Sequence, residues 1–118
     1  MIETDFIVVK ENMKNMLKYS KQEYQQYRKN NNVIYLQQAS EKLFSVVENY
    51  ISFINQIRIE YFQQARKLIS EKALIRLLYD ARDLHRFFYH GINEMIEVDA
   101  EELYLSVLKR IEIRVKEI

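Results

Sequence analysis

Gly91 is the only glycine in this chain of 118 residues, and the chain has no proline. β-Sandwiches, barrels and dinucleotide-binding folds depend on turns rich in glycine and proline, so the sequence argues against these classes. The same scarcity excludes a glycine-rich phosphate-binding loop. Apolar residues instead recur at helical spacing along nearly the whole chain. The sequence therefore predicts an all-α protein.

The first half of the chain predicts two helices joined by a short turn. The first helix should begin near Asp5 and stop at the asparagine run 30–32, since asparagines favour turns and caps. Asn32 can then cap the second helix. The inward stripe predicted for the first helix is Val9, Met13, Met16, Leu17, Ser20, Tyr24 and Tyr27. In the second helix the apolar steps alternate between three and four, as in a bundle: Leu36, Ala39, Leu43, Val46, Tyr50, Phe53 and Ile57.

The second half predicts two more strong helices. One runs from about Ser70 to His90 and stops at Gly91, a residue suited to the left-handed end of a helix. Asp99, with Glu102 three residues later, has the pattern of a capping box that opens the last helix. The segment 58–69 also permits helix, and we expect a break in the helix either near residues 57–61 or at Ser70. We therefore expect a single domain over residues 1–118, an up-and-down bundle of four to five antiparallel helices. The inward stripe predicted for the helix that ends at His90 is Leu74, Leu77 or Leu78, Ala81, Leu84 or His85, and Phe88.

The amino-acid composition limits the kinds of site and partner that the chain can have. The chain is 48% apolar and 30% charged, as in globular proteins, and its formal charge of +1 creates no overall attraction to nucleic acid or membrane. With no cysteine and two histidines, we expect no disulfide, metal site or cofactor. The apolar run 6–9 is too short for a signal sequence, and no stretch is long enough to span a membrane. The expected location is the cytoplasm.

One segment, residues 81–91, carries the residues best suited to catalysis. At 100° per residue, Arg82, His85, Arg86 and Tyr89 form one patch along the edge of the buried face. Guanidinium groups bind phosphate and an imidazole can shuttle a proton, which suits metal-free cleavage of RNA by its own 2′-hydroxyl. We therefore predict Arg82 and His85 as catalytic, with Arg86 and Tyr89 as supporting contacts to nucleic acid.

A second interpretation of this segment stays open. A histidine at the edge of a helix is often a packed residue, hydrogen-bonded to the neighbouring helix. An arginine beside it often forms a surface ion pair, here with Asp83 or Asp80. In that case His85 and Tyr89 only close the core against the second helix, and the protein is a non-enzymatic interaction module.

The middle of the chain interleaves cations with aromatic residues. Arg58 and Arg66 flank Tyr61 and Phe62, a pattern that can hold phosphate and stack a base. A solvated helix face produces the same pattern. We predict Arg58 and Arg66 as nucleic-acid contacts.

Tyrosine is frequent in this chain. A bundle of this size cannot bury all nine tyrosines with their hydroxyls hydrogen-bonded, so some must lie at a boundary or an interface. We therefore predict a homodimer.

Two short motifs resemble a known family. Residues 38–44, Gln-Ala-Ser-Glu-Lys-Leu-Phe, resemble the Ala-Ser-Glu-Lys-Leu-aromatic signature of an archaeal branch of HEPN domains, the paralogous-repeat (PaREP-type) proteins. Residues 81–89 resemble the Leu-His-x-Asn-Phe-Tyr segment of the same branch, with Phe87 at the asparagine position. The motifs occur in the family's order, and the resemblance covers roughly residues 6 to 117.

The HEPN resemblance implies a dimeric helical bundle of four or five helices. HEPN domains include metal-independent ribonucleases, often toxins or defence proteins paired with a nucleotidyltransferase. Their active motif is an arginine, a polar residue and a more distant histidine. Here Arg82 and Asp83 match, but His85 comes too early and His90 too late. The resemblance thus implies a module that binds RNA, a nucleotide or a partner protein, and a degenerate ribonuclease if it is an enzyme.

Overall fold

Four α-helices form the part of the chain that the computed structural model describes, which is residues 3–57 and 72–118, with side chains over 7–54 and 72–118. The helices are α1 (Glu3–Asn30), α2 (Val33–Ile57), α3 (Lys72–His90) and α4 (Glu97–Lys116). A single 3-10 turn, Gly91–Asn93, connects α3 to α4. No strand is present within these ranges. The predicted all-α bundle is confirmed.

The asparagine run ends α1 and begins α2, as predicted. Asn31 has a φ of 53°, in the left-handed region that asparagine tolerates, and its N–H donates to the carbonyl of Tyr27 at 2.8 Å. The Asn32 side chain then accepts a hydrogen bond from the N–H of Ile34 at 3.0 Å, which satisfies one of the unpaired donors at the start of α2. Two consecutive asparagines therefore reverse the chain.

Contacts between helices show that neighbours run in opposite directions. Gln37, near the start of α2, donates to carbonyls of Phe87 and Phe88, near the end of α3. Along α1 and α4, Tyr24 contacts Glu101, and Lys21 forms an ion pair with Glu112 farther down α4. The predicted antiparallel arrangement holds for both pairs. The loops α1–α2 and α3–α4 therefore lie at the same end of the bundle, which we call the loop end.

Apolar side chains of all four helices form one core. The predicted inward positions of α1 and α2 are buried or half-buried wherever their side chains are described. The largest side chains with almost no exposure are Met13, Leu36, Leu43, Leu77, Leu84, Phe87, Tyr104 and Ile111. Burial of these apolar side chains is the main stabilising contribution to the fold.

The end of the α3 stripe differs from the prediction. Phe87 is completely buried and Phe88 is only half-buried, where Phe88 was expected to face the core. Steps of three and of four residues from Leu84 both return to the same side of a helix, so the sequence leaves the choice to packing. The structure takes the step of three. The Phe88 ring instead contacts the edge of Tyr89, with centroids 5.0 Å apart.

The predicted capping box at the start of α4 is wrong. The helix begins at Glu97, and Ile96 occupies the cap position with an extended backbone and no side-chain cap. Asp99 is thus the third helical residue. The earlier start gives the N–H of Ala100 a partner, the carbonyl of Ile96 at 3.0 Å, and places Glu97 and Asp99 in the first turn, where the helix dipole favours negative charge. A side-chain cap contributes only about 1 kcal/mol, so these contributions outweigh it.

A chain of hydrogen bonds crosses the core and connects three helices. The Ser20 hydroxyl of α1 donates to the carbonyl of Ala39 in α2 at 2.8 Å. Because that donation uses the only hydroxyl proton of Ser20, the Tyr104 hydroxyl of α4 must donate to Ser20, at 2.9 Å. All three residues are fully buried. We call this set the Ser20 relay.

Two predictions concern residues outside the described ranges. Arg58 and Arg66 both lie there, as does the helix break expected between residues 57 and 70. Within the described ranges, no helix combines the length and the apolar character needed to cross a lipid bilayer.

Candidate functional site

His85 is held by a carboxylate from the neighbouring helix. Its Nδ1 lies 2.7 Å from Oε2 and 3.0 Å from Oε1 of Glu41, on α2. An ionised carboxylate only accepts hydrogen bonds, so Nδ1 carries the proton and donates it. The other ring nitrogen, Nε2, is then the one that can exchange protons with a ligand. Both side chains are part-exposed, 35% for His85 and 26% for Glu41, so solutes can reach the pair.

Two aromatic rings fix the plane of the His85 imidazole. Phe44 of α2 stacks on one face, with ring centroids 4.4 Å apart and planes inclined by 27°. Tyr89, one turn farther along α3, meets the imidazole edge-on at 4.9 Å. Phe44 is buried, whereas Tyr89 is 67% exposed. His85 is therefore oriented from the core side, and the exposed tyrosine borders it toward solvent.

The two predicted arginines differ in their surroundings. Arg82 lies one turn before His85 and is exposed. With the described residues it forms no ion pair, so its guanidinium is available to a ligand. Arg86 instead pairs with Asp83 at 3.2 Å. The structure thus places Arg82, His85 and Tyr89 along one edge of α3, and it ties Arg86 to a neighbouring carboxylate.

Gln37 fastens the end of α3 that carries the site. Its Nε2 lies 3.3 Å from the carbonyl oxygens of both Phe87 and Phe88. These belong to the last turn of α3, whose carbonyls have no partner within the helix. A Cβ added at Gly91 would approach the same amide to 3.2 Å. Gln37 of α2 therefore donates hydrogen bonds to carbonyls in the last turn of α3, just beyond His85.

Glu41 and Phe44 are contacts of His85 that sequence reasoning missed. Both lie in the segment 38–44 on which the family resemblance was based, and a spacing of three places them on one face of α2. That spacing is the only signal in the sequence that could have identified them. His85 is 44 residues away from Glu41, so no local pattern links the two.

Glu41 and Lys42 are consecutive in α2 but contact different neighbouring helices. Glu41 turns toward α3 and His85, whereas Lys42 turns toward α1, where its Nζ lies 2.6 Å from Glu23. Neighbouring positions on a helix are about 100° apart, which lets the two side chains diverge. This arrangement leaves the surface of α2 between the Glu41–His85 contact and the Lys42–Glu23 ion pair facing solvent.

A separate polar cluster joins α1 to α4. The Tyr24 hydroxyl donates to Glu101 at 2.7 Å, and Arg28 lies 3.1 Å from the same carboxylate oxygen. Burial, together with the hydrogen bond to Glu101, raises the pKa of Tyr24 to about 12. Burial also raises the pKa of Tyr104, and the Tyr104 ring stacks on Tyr24 with ring centroids 4.9 Å apart. The pKa of Tyr27 is raised as well, by burial and by the nearby carboxylate of Glu97. These tyrosines thus keep their protons at physiological pH and act as hydrogen-bond donors.

Within the described ranges, no three His, Cys, Asp or Glu side chains lie close enough together to bind a metal ion. The α2–α3 site offers one imidazole nitrogen supported by a carboxylate, one unpaired guanidinium and one exposed aromatic ring. Such a set can accept a proton and bind a phosphate at the same place.

Comparison of the chain with protein-family models, with curated proteins and with solved structures gives no match. Membership of the HEPN family therefore stays a prediction from the two sequence motifs.

Proposed function

We propose that this protein binds RNA at the α2–α3 site and cleaves it without a metal ion. The observation that carries the proposal is the 2.7 Å contact between Glu41 and His85. A carboxylate on Nδ1 selects one tautomer of the imidazole and stabilises the positive charge that develops when Nε2 takes up a proton. This is the support that a histidine needs in order to act as a general base.

The proposed reaction uses the 2′-hydroxyl of the RNA as its nucleophile. Nε2 of His85 removes the hydroxyl proton while the 2′-oxygen attacks phosphorus. The bond from phosphorus to the 5′-oxygen then breaks, and the leaving oxygen takes the proton back from His85. The products are a 2′,3′-cyclic phosphate and a 5′-hydroxyl, and the imidazole returns to its starting state. No step requires an oxidant or a further reactant.

Arg82 is the proposed phosphate ligand. A spacing of three residues puts Arg82 and His85 on the same edge of α3, one turn apart, so both can reach one phosphate. Arg82 has no competing carboxylate among the described residues, and Tyr89 offers a ring for base stacking. The short spacing that departs from the HEPN motif is therefore compatible with a shared site. As part of this proposal, the HEPN resemblance suggests a nucleotidyltransferase-type partner and a role in toxin or defence systems.

The test is RNA cleavage by the purified protein with EDTA present. We expect His85→Ala to lower the rate by about 100-fold or more, as for loss of a general base. Arg82→Ala should lower it roughly tenfold through loss of a charged hydrogen bond. Glu41→Gln keeps an acceptor for Nδ1 but removes the charge, so its rate should lie between those of wild type and Glu41→Ala.

Arg76→Ala is the matched control for the cleavage test. Arg76 is an exposed arginine of the same helix, on the side of α3 opposite to His85. Its replacement should leave the rate unchanged. Equal cleavage by wild type, His85→Ala and Arg82→Ala would contradict the proposal, and so would no cleavage by folded wild type.

A second candidate function is a helical homodimer that serves as an interaction module. In this case the contact between Glu41 and His85 only packs α3 against α2, since both partners belong to one chain. The observation that favours it is a set of exposed apolar side chains at the loop end. Each is more than 60% exposed: Tyr89, Ile92, Ile96 and Val98. Single exposed apolar residues are common, but a group at one end is typical of an interface.

A further inference from the structure

A groove of about 640 Å³ runs between α1 and α2, on the side of α2 away from His85. Tyr19 of α1 borders it and is 49% exposed, and Tyr35 of α2 borders it from a half-buried position. Its volume lies in the range that holds a small organic ligand. The proposed cleavage site does not include this groove.

Three glutamines line the groove with carboxamides. Gln22, Gln25 and Gln26 are all exposed residues of α1. Gln26 accepts a hydrogen bond from Asn30 at 2.9 Å through its oxygen, which leaves its NH2 group to donate. A carboxamide offers a donor and an acceptor side by side, which matches the paired donor and acceptor atoms on the edge of a nucleobase. An exposed tyrosine beside it offers a face for stacking.

Charge in the groove is balanced. Its two charged residues, Glu23 and Lys42, pair with each other at 2.6 Å. The groove therefore has no free cation to attract phosphate, and its chemistry suits the flat, uncharged, hydrogen-bonding part of a nucleotide. This contrasts with the α2–α3 site, where Arg82 supplies an unpaired positive charge.

The two sites share the solvent-facing surface of α2. Lys42 turns toward the groove and Glu41, the residue before it, turns toward His85. Gln38 and Ser45 lie on the same face at helical spacing from both, and both are half-buried. A helix with its side chains is about 10 Å across, so a single strand of a few nucleotides could cross it.

We propose that the α1–α2 groove binds a nucleobase of a single-stranded RNA whose backbone crosses α2 to the Glu41–His85 site. The inference rests on the proposed function for its substrate, and it assigns the recognition of the base to a different place from the reaction. The carboxamides of α1 bind the base edge and Tyr19 stacks on its face. The groove thereby sets which base stands a few nucleotides from the cleaved bond.

The first experiment measures binding apart from cleavage. The four ribonucleoside 5′-monophosphates are titrated separately into the protein, and chemical shifts are followed by NMR. We expect at least one nucleotide to shift groove resonances, with Tyr19→Ala or Gln22→Ala weakening its binding roughly tenfold. Tyr79→Ala is the matched control, because Tyr79 is an exposed tyrosine of α3 outside the groove. It should bind like wild type.

A second experiment separates the groove from the chemistry. In His85→Ala, nucleotides should still shift the groove resonances, because His85 does not line the groove. Tyr19→Ala should raise KM for a hexanucleotide while leaving kcat for a dinucleotide unchanged. Nucleotide binding that depends on Tyr19, in a protein that cleaves no RNA, would support the groove and overturn the cleavage proposal. Millimolar nucleotides that leave groove resonances unmoved would overturn the groove, whatever the cleavage assay gives.

Discussion

Tyr24 lies at the contact between α1 and α4 with its hydroxyl on the Glu101 carboxylate. Its deprotonation would place two negative charges next to each other at a part-buried position. Burial first, and then the hydrogen bond to Glu101, raise its pKa from 10.0 to about 12. The proton on this hydroxyl is therefore part of the folded structure.

The raised pKa of Tyr24 predicts a loss of stability in alkali. Below a pH of about 10 the tyrosine is protonated in both the folded and the unfolded chain, so its contribution is fully present. As the pH rises toward the folded pKa of about 12, the unfolded chain releases the proton more readily and the free energy of unfolding falls. Tyr104 acts in the same direction. The urea midpoint, measured from about pH 9 to about pH 11, should therefore decline.

Tyr24→Phe tests the assignment to this residue. The variant should lose about 1 kcal/mol at neutral pH, with the hydrogen bond to Glu101. Its midpoint should also decline less steeply in alkali, because one titrating group is gone. An alkaline slope equal to that of wild type would show that other tyrosines account for the effect.

At the scale of the helix, the last turn of α3 depends on Gly91. Its φ is +59°, a conformation that costs an ordinary L-residue about 1–2 kcal/mol. An added Cβ would also meet the Gln37 amide at 3.2 Å, which bonds to the last carbonyls of α3. Gly91→Ala should therefore lower the free energy of unfolding by about 1–2 kcal/mol. Thermal unfolding measures this.

Asn93→Ala serves as the control for Gly91→Ala. Asn93 is an exposed residue of the same 3-10 turn, with a negative φ. Its replacement should change the stability by less than about 0.5 kcal/mol. If both variants lose the same amount, the left-handed backbone at Gly91 is not what makes the turn sensitive.

The helices themselves follow closely from the sequence, because apolar spacing decides which face is buried. Gly91 and the pair Asn31–Asn32 end helices where predicted, since a left-handed backbone needs such residues. The start of α4 was not predictable from its local pattern. The capping signal at Asp99 competes with the hydrogen bond from the N–H of Ala100 to the carbonyl of Ile96, which forms only when the helix starts earlier.

The candidate site was predictable in part. Arg82 and His85 share a helix, so their spacing alone placed them on one edge. Glu41 and Phe44 reach His85 only through the rotation of α2 about its own axis, which depends on the whole core. Their role could not be derived from a pattern 44 residues away. The predicted contacts of Arg58 and Arg66 stay predictions.

At the scale of the whole molecule, charge distinguishes the two candidate functions. Residues 87–108 include five carboxylates and no lysine or arginine. Arg28 and Lys29 at the end of α1 lie at the same end of the bundle, and Arg28 pairs with Glu101, so a net negative charge remains. A symmetric dimer through the loop end would bring the carboxylates of two copies together. Salt screens this repulsion, so self-association through the loop end should strengthen with ionic strength. RNA binding should instead weaken, since salt competes with contacts to phosphate.

Sedimentation at low and high salt measures the first effect. Ile92→Glu and Val98→Glu add charge to the exposed apolar set, so each should favour the monomer. The matched control is Tyr79→Glu, at an exposed position of α3 away from this end. Dimers that dissociate in high salt, or that persist in both loop-end variants, would place the interface elsewhere.

The Ser20 relay also restricts which misfolded packings the chain can adopt. Two helices that pack through apolar faces can shift by one turn, about 5.4 Å, relative to each other and still bury a similar apolar area. Such a slip here would part Ser20 from Ala39 and Tyr104, leaving the hydroxyls of Ser20 and Tyr104 without these partners in the buried core. Helix registers of otherwise similar stability are thereby discriminated by two hydroxyl groups. The Ser20 relay therefore contributes more to the specificity of the helix register than to the stability of the native fold.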